Sequence, residues 1–411
     1  MEPKGEHVNF KTGWGIGLSL VLAGSLLAAC GSSKKTSTGT STTSGSSTPT
    51  TSISATSFTN DFSAMKSLTS IASAGTGKIA AILPDTTSST RYVEFDQPDI
   101  SKALETAGIP TSDIIVQNAQ NSDSTQLTDA QTDITNGATV LMVDPLDSGV
   151  GAQIESMAKS HGVAVIDYDR LTLGGSRAYY VSFDNVQVGT VMGQGLVSCI
   201  SSWNVTKPNV VVMYGAATDN NATLFAQGYN AVMKPYFDNN TWTKVADTAG
   251  TWDPPTAATE FEAAYTAHPN INAALVPNDE NAAPIITYLQ GHKVAAKTFP
   301  ITGQDATLTG LDNILAGYQC GTVYKPVFLE AQAASALAVY LRAGKTPPSG
   351  LVNGTTMDTM ANVSVPSVLL KPEWVTTANM NDTIIKDNFV PASMLCAGAF
   401  AADCTAAGIN P

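Results

Sequence analysis

Six short polar clusters, each closing an apolar run, carry the side chains most able to do chemistry. Lys78-Ile79-Ala80-Ala81-Ile82-Leu83 leads to Pro84-Asp85 and then Arg91-Tyr92, and Val163-Ala164-Val165-Ile166 runs into Asp167-Tyr168-Asp169-Arg170. Val210-Val211-Val212-Met213-Tyr214 precedes Asp219-Asn220-Asn221, and Ala273-Ala274-Leu275-Val276 precedes Asn278-Asp279. Phe299-Pro300-Ile301-Thr302 ends in Gly303-Gln304-Asp305, and Gly321-Thr322-Val323 ends in Tyr324-Lys325. These clusters are rich in charged and amide hydrogen-bonding groups and contain no evident nucleophile or metal-ligand spacing. Their chemistry favours recognition of a polar ligand over bond breaking. Continuous apolar runs describe strands buried on both faces, as in parallel sheets covered by helices. In such sheets ligands bind beyond the carboxyl ends of the strands, so the clusters should converge on one site.

The elements that must position them alternate between strand and helix. Strands are expected near 78–84, 112–117, 139–143, 163–167 and 178–182, with helices near 95–107, 123–136 and 147–161. In the last of these Val150, Ile154, Met157 and Ala158 recur at helical spacing. A helix over 186–202 opens a second set, with strands near 209–214, 242–246, 273–276, 297–302 and 319–324. This alternation predicts an α/β fold of two doubly wound, Rossmann-like lobes with right-handed crossovers. The chain should pass between lobes at Ser182-Phe183-Asp184-Asn185, again at Lys325-Pro326, where Pro suits the first turn of a helix over 327–342, and a third time within 350–366. The lobes are accordingly expected to comprise 58–183 plus 326–355 and 184–325 plus 356–411.

The N-terminus suggests an address. Lys4 and Lys11 precede an apolar stretch from about Trp14 to Ala29 that ends Leu27-Ala28-Ala29-Cys30. Roughly 16 residues is short of the about 20 that span a bilayer and fits a secretory signal. The Leu-Ala-Ala-Cys ending resembles the lipobox of bacterial lipoproteins, which implies a signal peptide over 1–30 and a lipid anchor on Cys30. An ordinary signal peptide with an incidental cysteine is the alternative. Residues 31–57 are nearly all Ser, Thr and Gly, a composition that cannot bury a core and reads as a flexible tether. The formal net charge of −13, with charged residues only 13% of the 411, excludes a basic nucleic-acid footprint.

Cys199, Cys320, Cys396 and Cys404 remain in an exported body, an even number that suggests two disulfides. Four cysteines allow three pairings. The helix from Val186 ends around Cys199, away from the site-bearing strand ends, and Cys320 starts the strand that reaches Lys325. Cys199–Cys320 and the local pair Cys396–Cys404 are therefore expected. With no Cys-x-x-Cys spacing and four scattered histidines, neither a zinc site nor a cofactor is expected.

Over about Lys78 to Phe389 the chain resembles the sugar-binding proteins of bacterial ABC importers, specifically the D-xylose-binding branch. The phrases that carry this are Tyr168-Asp169-Arg170, Val181-Ser182-Phe183-Asp184-Asn185, Asp219-Asn220-Asn221-Ala222, Thr302-Gly303-Gln304-Asp305-Ala306, Thr322-Val323-Tyr324-Lys325-Pro326 and Asp382-Thr383-Ile384-Ile385-Lys386-Asp387. The resemblance implies a type I periplasmic binding protein: two lobes, a three-segment hinge and sugar in the cleft. Pentose contacts implied by it are Arg91 and Arg170 from the first lobe, Asp219, Asn221, Trp252, Asn278 and Asp305 from the second, and Lys325 at the hinge. Tyr92 stands where the family often has Trp, Glu280 where a small residue is usual, and Val368 where a basic residue is familiar. Tyr92 or Trp252 could cover the sugar's C–H face, while Asp, Asn and Arg match its hydroxyls as acceptors, mixed partners and a donor fork.

Blander roles compete for several of these residues. Asp167, Asp169 and Arg170 could be a strand-end ion pair, one of Asp219-Asn220-Asn221 a helix cap, Trp252 core, and Asp305 and Lys325 partners only of each other. Asn185 fits a helix start or hinge better than a sugar contact. Rival functions are an enzyme, a sugar-responsive repressor, and a lipoprotein that presents sugar to a membrane receptor. Gly75-Thr76-Gly77-Lys78 hints at a phosphate loop, but Ile79 replaces the required Ser/Thr and the order is wrong. The tether opposes a repressor. The expected partners are thus a monosaccharide, D-xylose first, an ABC permease and the membrane lipid at Cys30; nucleic acid is excluded and the protein should be monomeric.

Overall fold

In a computed structural model that describes residues 53–410, the strands are β1 (Lys78–Leu83), β2 (Ile114–Asn118), β3 (Ala138–Val143), β4 (Ala164–Tyr168), β5 (Tyr179–Phe183), β6 (Asn209–Val212), β7 (Thr243–Asp247), β8 (Ala273–Leu275), β9 (Thr322–Tyr324), β10 (Gly354–Asp358), β11 (Val363–Leu370) and β12 (Glu373–Val375). The longer helices are α1 (Gln97–Ala107), α2 (Asp123–Thr135), α3 (Ser148–Ser160), α4 (Asn185–Ser202), α5 (Asn220–Asp238), α6 (Pro254–Ala267), α7 (Asp279–Gly291), α8 (Leu308–Leu315) and α9 (Val327–Arg342). The signal and lipobox, including Cys30, lie outside the described residues. Among the described residues no helix is long and apolar enough to cross a membrane.

The first lobe is a seven-stranded sheet ordered β10-β11-β5-β4-β3-β1-β2. All neighbours are parallel except β10 with β11. Its β2-β1-β3-β4-β5 portion has the doubly wound order whose switch point lies between β1 and β3. Burial explains the strands: in β1 every residue from Ile79 to Leu83 is buried, because helices cover both faces. Helix α9 is buried along nearly all of Val327–Val339. The second lobe carries the parallel sheet β7-β6-β8 and the antiparallel pair β12-β9.

Three features depart from the sequence expectation. The run 297–302 forms only an isolated bridge, Ile301 to Ala274; Pro300 has no N–H for a ladder and offers only its carbonyl, to Ala274. Second, β10 and β11 belong to the first sheet, with β11 parallel to β5 from Ser367 to Leu370. The third crossing therefore falls between Leu370 and Glu373, not within 350–366, and residues 356–370 lie with the first lobe. Val368 is consequently core. Third, the tether stops earlier than 57: Ile53 and Ala55 are buried, and Ala55 N–H bonds the Gly350 carbonyl at 3.0 Å. The first two crossings fall at Phe183–Asp184 and around Lys325-Pro326, where β5 hands over to α4 and β9 to α9.

Both disulfides join the expected partners. Cys199, near the end of α4, meets Cys320 with Cα atoms 6.0 Å apart, and Cys396 meets Cys404 at 5.7 Å. Cross-linking removes chain entropy from the unfolded state in proportion to the logarithm of loop length. Separations of 121 and 8 residues therefore predict unequal costs. Replacing the first pair by alanine should lower stability by about 5 kcal/mol and the second by about 2.5 kcal/mol. Denaturant titration of the two double variants checks this; equal costs would contradict it.

Candidate functional site

The strand-end clusters do converge. Arg91, Tyr92, Arg170, Asp219, Asn221, Trp252, Asn278, Asp305 and Lys325 all line one narrow cavity between the lobes. Ser88, Ser89, Asp169, Phe225 and Gln304 complete its wall. Each reaches it through local structure. Arg91 and Tyr92 begin a wide helical turn, Tyr92–Asp96, that runs into α1. Asp169 and Arg170 follow β4, and Asp169 adopts a left-handed backbone (φ 56°). Asp219 caps α5 by accepting Asn221 N–H at 2.8 Å, and Asn278 caps α7 by accepting Asn281 N–H at 3.1 Å. Capping and cavity-lining are thus the same residues' two tasks. Asp305 also sits at positive φ (92°), a conformation that persists in non-glycine residues mainly where surroundings over-determine it.

Charge organises the floor. Arg91 is 1% exposed and donates to Asp96 from Nε (2.9 Å) and Nη2 (2.7 Å), to Glu330 from Nη2 (2.8 Å) and to Asp169 from Nη1 (3.1 Å). Four of its five N–H groups are used internally, which leaves one on Nη1. Burial works against ionised Asp169, but Arg91, Lys325 and Arg170 hold its carboxyl below the usual range. Burial pushes Glu330 well above that range despite Arg91. Tyr92 donates its hydroxyl proton to Asp169 (3.3 Å) and accepts from Arg170 Nη2 (3.0 Å). Lys325 pairs with Asp305 at 3.0 Å. That ion pair and the Asp219 cap are the bland roles expected of these residues, and both coexist with a place on the cavity wall. Among the described residues the buried Gln304 Oε1 has no hydrogen-bond partner.

An aromatic corner closes the second-lobe side. Trp252 Nε1 donates to Asp219 Oδ2 at 3.0 Å, and its ring meets Phe225 edge-on at 6.5 Å between centroids. Gly215 makes room for it: a Cβ there would lie 2.2 Å from the Trp252 ring. Asn185 lies off the cavity, donating to Tyr180 Oη and to Asn221 Oδ1 and so fixing the amide of Asn221.

The lobes touch through these groups. Ser89 Oγ donates to Asp305 Oδ2 (3.0 Å), Asn278 Nδ2 to the Ser88 carbonyl (2.8 Å) and Asn221 Nδ2 to the Asp169 carbonyl (2.8 Å). Thr90 N–H donates to Glu280 Oε1 (3.0 Å). The cleft is therefore closed, with the polar wall contributed from both sides. Among the described residues no group of three or more His, Cys, Asp or Glu is placed to hold a metal ion.

Residues 79–346 match the model of the periplasmic binding protein domain. The chain belongs to the periplasmic binding protein family. It is 36% identical over 284 residues to the D-xylose-binding periplasmic protein of Escherichia coli, an alignment covering 69% of this chain and 83% of that one. It is 30% identical over 334 residues to a multiple sugar-binding periplasmic receptor of Rhizobium radiobacter, covering 78% and 92%. A carbohydrate transporter solute-binding protein from Chloroflexus aurantiacus, solved in complex with D-glucose, superposes with a TM-score of 0.68 at 27% identity over 77% of this chain and 97% of its own. These are binding proteins, not enzymes, and the periplasmic binding protein described here is likewise a binder.

Sequence reasoning did not place Ser88, Ser89, Asp169, Phe225 and Gln304 on the cavity wall. Gln304 adjoins Asp305 in the phrase already singled out, and the hydroxyl run Thr86–Thr90 follows β1, so both signals were present. Phe225 carried none, being one apolar residue among many on α5. A Gly215→Ala variant should push the Trp252 ring off Asp219 and shift its fluorescence. A spectrum identical to wild type, with Trp252→Phe as the control for its contribution, would contradict the packing.

Proposed function

We propose that this protein is an extracytoplasmic lipoprotein, anchored at Cys30, that captures a monosaccharide in the interlobe cavity and delivers it to an ABC permease. The observation that carries sugar capture is the composition of the wall: carboxyl acceptors, amides and guanidinium donors from both lobes surround one small space beside an aromatic corner. Sugar hydroxyls each donate and accept, and hydrogen bonds to charged groups contribute roughly 1.5–3 kcal/mol against about 1 for neutral pairs. Such a wall suits a small ligand that has many hydroxyls and no charge.

D-xylose is the first candidate, supported by the 34–36% identity to two D-xylose-binding periplasmic proteins. A second reading, a binder of several sugars or a sensor that presents sugar to a membrane receptor, draws on the multiple sugar-binding receptor at 30% identity and the D-glucose complex at 27%. In either case sugar bridges the lobes and shifts the population from open to closed. The closed form then docks on the membrane partner as a monomer, and transport is driven by a separate ATPase.

Calorimetric titration of residues 53–411 with D-xylose, L-arabinose, D-ribose, D-glucose and D-galactose tests the reading. One-to-one binding of D-xylose with compaction in solution scattering is expected; no binding by any of the five would overturn it. Asp305→Ala should weaken binding by about 1.5–3 kcal/mol with the fold intact. Unchanged affinity would remove Asp305 from the site.

A further inference from the structure

Glu280 lies in the first turn of α7 and is absent from the cavity wall. Its Oε1 nevertheless crosses the cleft to accept the backbone N–H of Thr90 at 3.0 Å, with the Thr90 hydroxyl at 3.4 Å. Thr90 is the residue whose carbonyl accepts the first bonds of the helical turn bearing Arg91 and Tyr92, from Val93 and Glu94 N–H. Glu280 of the second lobe thus satisfies an orphan donor at the start of a first-lobe helix. This contact exists only when the lobes are together.

We propose that Glu280 is a closure latch: a positioning residue that touches no ligand, clips the lobes together through Thr90, and so sets how much of the binding energy is spent on closing. The proposal rests on sugar capture as the function of the cleft.

The surroundings of Glu280 add a proton to this step. Asp305, paired with Lys325, and Asp279 on the same helix are its charged neighbours. From the first lobe the contacts come from Thr90, which is uncharged, while Arg91 is committed to Asp96, Asp169 and Glu330. Burial, with Asp305 and Asp279 close by, pushes the Glu280 carboxyl well above the usual carboxylate range. The neutral acid can still accept from Thr90 N–H through its carbonyl oxygen while relieving the repulsion. In the open form the group titrates in the ordinary range, so between that range and the raised value closing takes up a proton. The sign follows: closure and affinity strengthen as pH falls through this window and weaken as it rises.

The test compares wild type, Glu280→Gln and Glu280→Ala at about pH 5 and pH 8. Glutamine keeps the acceptor and removes the charge; alanine removes both. Expected for wild type is sugar affinity that weakens about tenfold for each pH unit crossed between the open-state and closed-state values, with proton uptake read by calorimetry in buffers of different ionisation heat. Glu280→Gln should bind more tightly than wild type at pH 8 and take up no proton there. Glu280→Ala should bind more weakly than Glu280→Gln at both. The interlobe distance of the ligand-free protein, from a fluorescence pair with one label per lobe, should show Glu280→Ala more open than Glu280→Gln. That last arm reads the latch even if none of the sugars binds, which would instead count against the proposed function. A pH slope that survives in Glu280→Gln would assign the proton elsewhere, to Asp279, whose carboxyl burial raises to about 7, and would overturn the proton step. Identical ligand-free distances in the two variants, together with equal sugar affinities, would overturn the latch.

Discussion

A guanidinium cannot be buried alone, and the cleft is arranged around meeting that requirement for Arg91. Taking an ion out of water costs several kcal/mol even after relaxation, and only close partners with good geometry offset it. Arg91 finds three acidic side chains, each brought by a different part of the chain: Asp96 from the next helical turn, Asp169 from the end of β4 and Glu330 from α9. The fork is thereby fixed before any ligand arrives. Tyr168 reinforces it from β4 by donating to Asp96. Because α9 follows the second crossing of the chain, this buried cluster also ties the returning helix to the strand ends of the first lobe. Position of the donor and integrity of the lobe are one property.

The second lobe solves a different problem, how to present acceptors without leaving them unpaired. Asp219 and Asn278 cap α5 and α7, and Asp279 receives Gln319 Nε2, Thr322 Oγ1 and Thr307 N–H beneath the loop that carries Asp305. These helix caps hold the side chains in one rotamer, which reduces the entropy lost when a hydroxyl is bound. Asn278, with Asp305 and Asn221 beside these caps, also bonds the first lobe across the cleft, through the Ser88 carbonyl, the Ser89 hydroxyl and the Asp169 carbonyl. Closing and recognising therefore draw on one set of groups. A ligand that satisfies them better than the lobes satisfy each other shifts the equilibrium by the difference.

Most of this was legible because burial on both faces writes parallel strands as unbroken apolar runs, and topology puts their polar ends together. The nine residues drawn from those ends and from the resemblance all reached one cavity. The disulfide partners were legible for the same reason, since α4 and the approach to β9 had to share the far edge. What the sequence hid follows from weaker patterning. In Val363–Leu370 Pro366 interrupts the run, and a proline demotes a central strand; it is tolerated because pairing with β5 begins only at Ser367. Gly354–Asp358 is an edge strand without an apolar face. Missing that hairpin moved the third crossing. Conversely, the apolar run Phe299-Pro300-Ile301 let 297–302 read as a strand, although the N–H that Pro300 lacks reduces the pairing to a bridge.

The two cavity arginines are held differently, and that difference bears on specificity. Arg91 has short bonds to three acidic side chains. Arg170 lies 3.5 Å from both Asp144 and Asp219, reaches the Pro145 carbonyl at 3.4 Å, and makes its one short bond, 3.0 Å, to the Tyr92 hydroxyl. A phenol can accept from Arg170 and donate to Asp169 at once, whereas an indole at this position could only donate. Tyr92 therefore links Arg170 to Asp169 in a way a tryptophan could not. The linkage occupies one Arg170 donor and leaves the longer, weaker contacts as the ones a ligand hydroxyl can displace at least cost. On the proposed function, Arg91 is the fixed reference of the site and Arg170 its adaptable edge, so differences in hydroxyl pattern among candidate sugars should be felt at the Arg170 side of the cavity, where Asp219 and Trp252 also stand.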